Sequence, residues 1–132
     1  MKHVEVVCAL IEREDGKFFC CQRGPGRPLE GYWEFPGGKV EVNETHKQTI
    51  VREIREELNS DVLPLEYIGV SNYIYPDMGL YKGFSITLYA YRCKLLDGNL
   101  ELTEHINSAW KTKDEMQQMK FAKADMPIID AL

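Results

Sequence analysis

Residues 37–58 read Gly37-Gly38-Lys39-Val40-Glu41-Val42-Asn43-Glu44-Thr45-His46-Lys47-Gln48-Thr49-Ile50-Val51-Arg52-Glu53-Ile54-Arg55-Glu56-Glu57-Leu58, and their second half has the spacing of a helix. Thr45 with Gln48 three residues on fits a capping box. Ile50, Val51, Ile54 and Leu58 then fall within a sector of about 100°, at about 100° per residue. Asn59 stands where a left-handed residue can end the helix, and Pro64 follows. Glu53, Glu56 and Glu57 fill the neighbouring sector. On an open helix each i, i+3 or i, i+4 pair of like charges costs about 0.2–0.5 kcal/mol. One account of these acids is a solvated face balanced by Arg52 and Arg55. The upstream context supplies another. A diglycine lets backbone carbonyls approach a ligand, and Glu44 stands just before the cap. Carboxylates with a bare carbonyl form an all-oxygen donor set, suited to Mg²⁺ or Mn²⁺ rather than zinc. Such ions would offset the repulsion and bridge to a phosphate chain.

Working outward, His3 to Ile11 is nearly continuous in apolar residues and reads as a buried strand. Asp15-Gly16 is a turn signal, and Lys17 to Arg23 reads as the returning strand of a hairpin. Gly24-Pro25-Gly26-Arg27-Pro28 is a loop, read as a lid over a ligand. Trp33-Glu34-Phe35 is a short strand that Pro36-Gly37-Gly38 ends. Leu65–Tyr75 and Phe84–Cys93 are strands, Asp97-Gly98 is a turn, and Ala109-Trp110 belongs to a last short strand. Thr112 with Glu115 resembles a second capping box, and the tail from Pro127 to Leu132 suits a closing helix. The expectation is one α+β domain over residues 1–132, with a mixed sheet and two or three helices.

Composition narrows the partners. Sixteen Lys+Arg against 21 Asp+Glu give a net charge of −5. With no basic run, this argues against nucleic acid as a partner. No apolar stretch approaches the roughly 20 residues of a membrane span, and the N-terminus lacks a signal-peptide plan. A cytoplasmic protein with no membrane partner is expected. Cys8, Cys20, Cys21 and Cys93 show no metal-ligand spacing, and buried thiols are the expectation. His46 and His105 read as isolated surface or structural residues.

From Gly38 the pattern runs Gly, five residues, Glu44, seven residues, then Arg52-Glu53-Ile54-Arg55-Glu56-Glu57. This resembles the Nudix box, the signature of hydrolases acting on a nucleoside diphosphate linked to another moiety. It departs where the family expects Gly and an aliphatic residue, at Asn59 and Ser60. Asn59 can end the helix, and Val62 can supply the missing apolar contact. Beyond the box, Gly31–Glu41 and the tail from Glu104-His105 through Trp110 to Asp125 and Ile128 are similar to the MutT-type (d)NTP pyrophosphohydrolases.

The resemblance implies a Nudix fold, an α/β/α sandwich with a mixed sheet. It implies that Glu53, Glu56 and Glu57 hold Mg²⁺ (Mn²⁺ possible) with the Gly37 carbonyl and Glu104. Arg52 would orient the carboxylates and Glu44 would support the loop. The general base would be Glu53, as first choice, or a later-loop acid such as Glu104. Substrate contacts would come from Arg23, Glu34, Phe35, Gly37, Gly38, Lys39 and Asp125, with Arg23 and Lys39 meeting phosphates and Phe35 lining a base pocket. Asp125 would read the base; ionised, it only accepts hydrogen bonds and would favour an amino-bearing edge. The plainer account is that Asp125 merely starts the closing helix. The implied reaction is cleavage of 8-oxo-dGTP, CTP or a modified dNTP to monophosphate and pyrophosphate, by a monomer or homodimer. The alternatives are a nucleotide-binding module without turnover and a hydrolase of another nucleoside-diphosphate-linked substrate.

Overall fold

The computed structural model describes residues 1–132. Strand β1 (Lys2–Ile11) is the spine of a four-stranded sheet. It pairs in parallel with β6 (Phe84–Asp97) and antiparallel with β4 (Gly37–Lys39), while β5 (Asp61–Tyr75) closes the far edge against β6. The sheet is therefore mixed, as expected. A second, antiparallel sheet has the order β3 (Trp33–Glu34), β2 (Phe18–Gln22), β7 (Asn107–Lys111).

The apolar run of β1 follows from having both faces covered. Val7, Ala9 and Ile11 face helix α1 (His46–Leu58), packing with Ile50, Ile54 and Leu58. Cys8 and Leu10 face the opposite way, into a core with Phe35, Tyr75, Met116 and Ile128. Short helices α2 (Lys113–Gln117) and α3 (Met126–Asp130) cover that second face. The four thiols are free and buried, and the adjacent Cys20 and Cys21 enter opposite cores. No helix is long and apolar enough to cross a membrane.

Both capping boxes form, at Thr45/Gln48 and at Thr112/Glu115. Asn59 ends α1 at φ 48° and ψ 44°. Val62 is buried in the core that holds Leu58, as expected. Ser60 takes a polar role, accepting from the Leu100 N–H at 2.8 Å and donating to the Leu58 carbonyl at 2.9 Å.

Several expectations fail for tertiary reasons. The β1–β2 hairpin does not form as a ladder: apart from a single bridge between Glu12 and Phe18, β2 leaves β1 to pair with β3 and β7. Gly37-Gly38 does not end a strand but begins β4, because β1 offers it an open edge. β5 starts at Asp61 and runs through Pro64; a missing N–H is tolerated on an edge strand. Val51 lies half-exposed, and Thr49 occupies the buried position instead.

Candidate active site

The acidic helix and β4 are welded by Arg52. Its Nε and Nη2 donate to the two Glu44 oxygens at 2.7 and 3.0 Å, and Nη1 donates to Glu53 at 3.0 Å and Glu56 at 3.3 Å. Nη2 also reaches the Lys39 carbonyl at 3.2 Å, which ties the helix to β4. Hydrogen bonds from Arg52 and Thr49 hold the Glu44 carboxyl down at about 2. Glu44 is thus a fixed anion that braces Arg52, while Thr45 caps the helix.

Glu53 and Glu57 are in a different situation. Burial pushes the Glu57 carboxyl well above the ordinary range, reinforced by the nearby charges of Glu53 and Glu34. Burial pushes Glu53 upward as well, against the pull of its hydrogen bond with Glu57 and the charge of Arg52. Glu57 Oε2 is out of solvent with no hydrogen-bond partner. The pair is therefore short of positive charge. Gly38 fits tightly above it: a Cβ there would lie 2.2 Å from the Glu53 carboxyl carbon. At Gly37 a Cβ would meet the Val7 carbonyl at 2.0 Å. Both glycines are needed so that β4 can sit between β1 and the carboxylates. Glu56 is more exposed and turned toward Arg52, and no three acidic, His or Cys side chains already converge as a metal cluster. Even so, an orphaned buried oxygen, two carboxyls that burial pushes upward and a diglycine cradle fit a hard divalent cation.

These residues form one end of a cavity of about 350 Å³ that also includes Arg23, Arg27, Glu34, Phe35, Glu104 and Asp125. Its apolar wall comes from Val4, Val6, Phe84, Ile86 and Leu88, and Leu88 belongs to the core that holds Cys8 and Leu10. The far end is built by the segment before α3. Trp33 exchanges backbone bonds with Lys120 and Ala122, and the Ala124 N–H donates to the Tyr75 hydroxyl at 2.9 Å. Asp125 is thereby buried against β3, and its Oδ2 accepts the Phe35 N–H at 2.9 Å. It also stands at the N-cap of α3, as the plainer account has it, where its backbone carbonyl accepts from the Ile128 and Ile129 N–H groups while its side chain makes no cap. Burial, with the negative charge of Glu34, pushes its carboxyl up to about 8 despite the Phe35 bond. At neutral pH Asp125 is mostly a neutral acid that can donate as well as accept, unlike the ionised acceptor that the sequence suggested.

Between the two ends lies Glu34, whose carboxylate takes Arg23 Nη1 at 3.1 Å and His105 Nε2 at 2.8 Å. These partners hold it ionised although it is half-buried. An ionised carboxylate can only accept, so His105 carries its proton on Nε2. His105 is therefore a buried member of this network and not a surface residue, a fact its flanking residues do not signal.

The fold thus gathers Glu53, Glu57, Gly37, Gly38, Glu104, Arg23, Glu34, Phe35 and Asp125 around one cavity. Glu44, Arg52 and Glu56 stand behind it, and the exposed Lys39 side chain is outside its lining. Sequence reasoning did not single out Arg27, which lines the cavity from the Gly-Pro loop.

The NUDIX domain matches residues 1–132, and the chain belongs to the Nudix family; it is a hydrolase. Over 131 residues it is 38% identical to the CTP pyrophosphohydrolase of Escherichia coli (strain K12), covering 99% of this chain and 92% of that protein. The 8-oxo-dGTP diphosphatase of the same strain is 26% identical over 132 residues, covering 100% of this chain and 98% of that protein. Among solved structures, the solution structure of the E. coli ORF135 protein matches with a TM-score of 0.80 at 38% identity, covering 99% of this chain and 89% of that one.

Proposed function

We propose that the protein is a divalent-metal-dependent nucleoside triphosphate pyrophosphohydrolase. It takes 8-oxo-dGTP, CTP or a modified dNTP and releases the monophosphate and pyrophosphate. The observation that carries this reading is the buried Glu53–Glu57 pair under Gly38, with one carboxylate oxygen unpartnered. Such a pair in the wall of a cavity with an apolar end suits a ligand that brings cations at one end and a base at the other.

Glu53, Glu56 and Glu57, with the Gly37 carbonyl and Glu104, would hold Mg²⁺ or Mn²⁺. When bound, such ions neutralise phosphate charge and lower the pKa of a bound water. Glu53 is the residue we assign as general base, because Arg52, at 3.0 Å, offsets part of the burial that pushes its carboxyl upward. Arg52 keeps that carboxylate aimed, and Glu44 keeps Arg52 in place. The remaining contribution is positioning, which suits phosphoryl transfer. Phe35 and the apolar wall receive the base, and Asp125 meets its polar edge. Ionised, Asp125 accepts from an amino group; neutral, it donates to a ring nitrogen or carbonyl. Base preference is accordingly tied to pH.

The resemblance to the CTP and 8-oxo-dGTP enzymes supports the triphosphate class. The test is pyrophosphate release from a panel of normal and oxidised nucleotides with Mg²⁺. Turnover confined to one or a few triphosphates is expected. Folded, metal-supplied protein that cleaves none of them refutes the reading.

A further inference from the structure

Acids outnumber cations along the cavity wall, and its positive side chains are Arg23 and Arg27. A nucleoside triphosphate entering it needs cationic partners for its phosphate chain beyond any metal. Arg23 is already engaged: Nε donates to the Pro28 carbonyl at 2.7 Å and Nη1 to both oxygens of Glu34. Lys39 does not line the cavity. Arg27 differs from both. Its Nη1 is shielded from solvent yet has no hydrogen-bond acceptor, and its ion-pair partner, Glu104 Oε2, stands at 3.9 Å, beyond hydrogen-bond reach. A shielded guanidinium N–H without an acceptor is costly, and a ligand oxygen would satisfy it.

Local sequence shapes the loop that carries it. Gly26 takes φ +78°, which an L-residue resists, and Arg27 follows at a bend before Pro28. The loop is tied at its base, where the Gly31 N–H donates to the Arg23 carbonyl and the Arg23 N–H to the Tyr32 carbonyl, each at 2.9 Å. The Gln22 amide adds a bond to the Gly31 carbonyl at 3.0 Å. Arg27 is thus carried on a braced loop with one unmet donor on the cavity side.

We infer that Arg27 binds the pyrophosphate part of the substrate, exchanging its long pairing with Glu104 for direct hydrogen bonds to phosphate oxygens. This rests on reading the cavity as a triphosphate site. A planar guanidinium presents two parallel N–H groups to such oxygens.

The experiment compares inhibition by the two products, magnesium pyrophosphate and nucleoside monophosphate, in the wild type, Arg27→Gln and Arg27→Lys. The pyrophosphate inhibition constant should rise about 10- to 100-fold in Arg27→Gln, with Arg27→Lys between. The monophosphate constant should stay unchanged. Equal weakening of both products, or of neither, overturns the inference. If Arg27→Gln does not fold, Arg27→Lys carries the same comparison. If the wild type turns over no nucleotide, the proposed function falls. Calorimetric titration of magnesium pyrophosphate into wild type and variant then decides Arg27 by itself: weaker binding to the variant supports it, and equal binding overturns it.

Discussion

Glu57 and Asp125 line opposite ends of one cavity, both are buried, and both carboxyls are pushed upward, yet their surroundings differ. Glu57 shares its surroundings with Glu53 and leaves one oxygen without a partner. Asp125 has a backbone donor of its own in the Phe35 N–H, and its acidic neighbour Glu34 is hydrogen-bonded by Arg23 and His105. The first arrangement leaves a buried acceptor unmet. The second tolerates the proton and can use it. Burial alone therefore does not assign a role to an acid; its partners do.

The largest expected effect is at Glu57. Glu57→Gln should lower turnover by about 10²–10⁴-fold, while the metal-free variant unfolds no more easily than wild type, since the amide matches in shape and charge the neutral acid that burial favours. Steady-state rates with a thermal melt in chelator check both halves. Comparable turnover losses in Glu57→Gln and Asp125→Asn would erase the distinction between the two ends.

The next effect is at Asp125. Because its carboxyl titrates near 8 folded against 3.8 unfolded, the folded state binds the proton more tightly. Stability is then fully present below the unfolded value and is lost as pH rises toward 8. Asp125→Asn should remove that loss, gaining relative to wild type by an amount on the order of 5 kcal/mol at most at pH 8. Denaturation midpoints at pH 5 and 8 test it. The same variant should shift kcat/KM between amino-bearing and carbonyl-bearing bases and flatten its pH dependence near 8. A preference unchanged at every pH removes Asp125 from base reading.

The smallest effect lies outside the cavity. Asn59 sits at φ 48°, so Asn59→Gly, which restores the family's usual residue, should change stability by less than about 1 kcal/mol. Activity should be unaffected. A large loss of activity there would show that the helix end, and not only its carboxylates, governs the site.

Much of the acidic end of the cavity could be read from the chain because it is local. A capping box, a 3.6-residue period and a left-handed stop place Glu53, Glu56 and Glu57 relative to one another without tertiary information. The glycines were recognised, but their full reason was not. Only the packed structure shows that a Cβ at Gly38 would strike Glu53 and one at Gly37 would strike the β1 backbone. The opposite end is assembled from residues some 90 positions apart, as with Phe35 and Asp125. No local period reports such a contact.

The sequence by itself determined the acidic helix, its caps, the alternation of buried strands and the family, since each depends on spacing along one segment. Tertiary structure decided that β2 leaves β1 for a second sheet, that His105 is buried against Glu34, that Arg23 is engaged while Arg27 is not, and that Asp125 keeps its proton. Those outcomes depend on which distant groups meet and how far water is excluded between them. Solvation and charge pairing are properties of the packed whole, not of any stretch of chain.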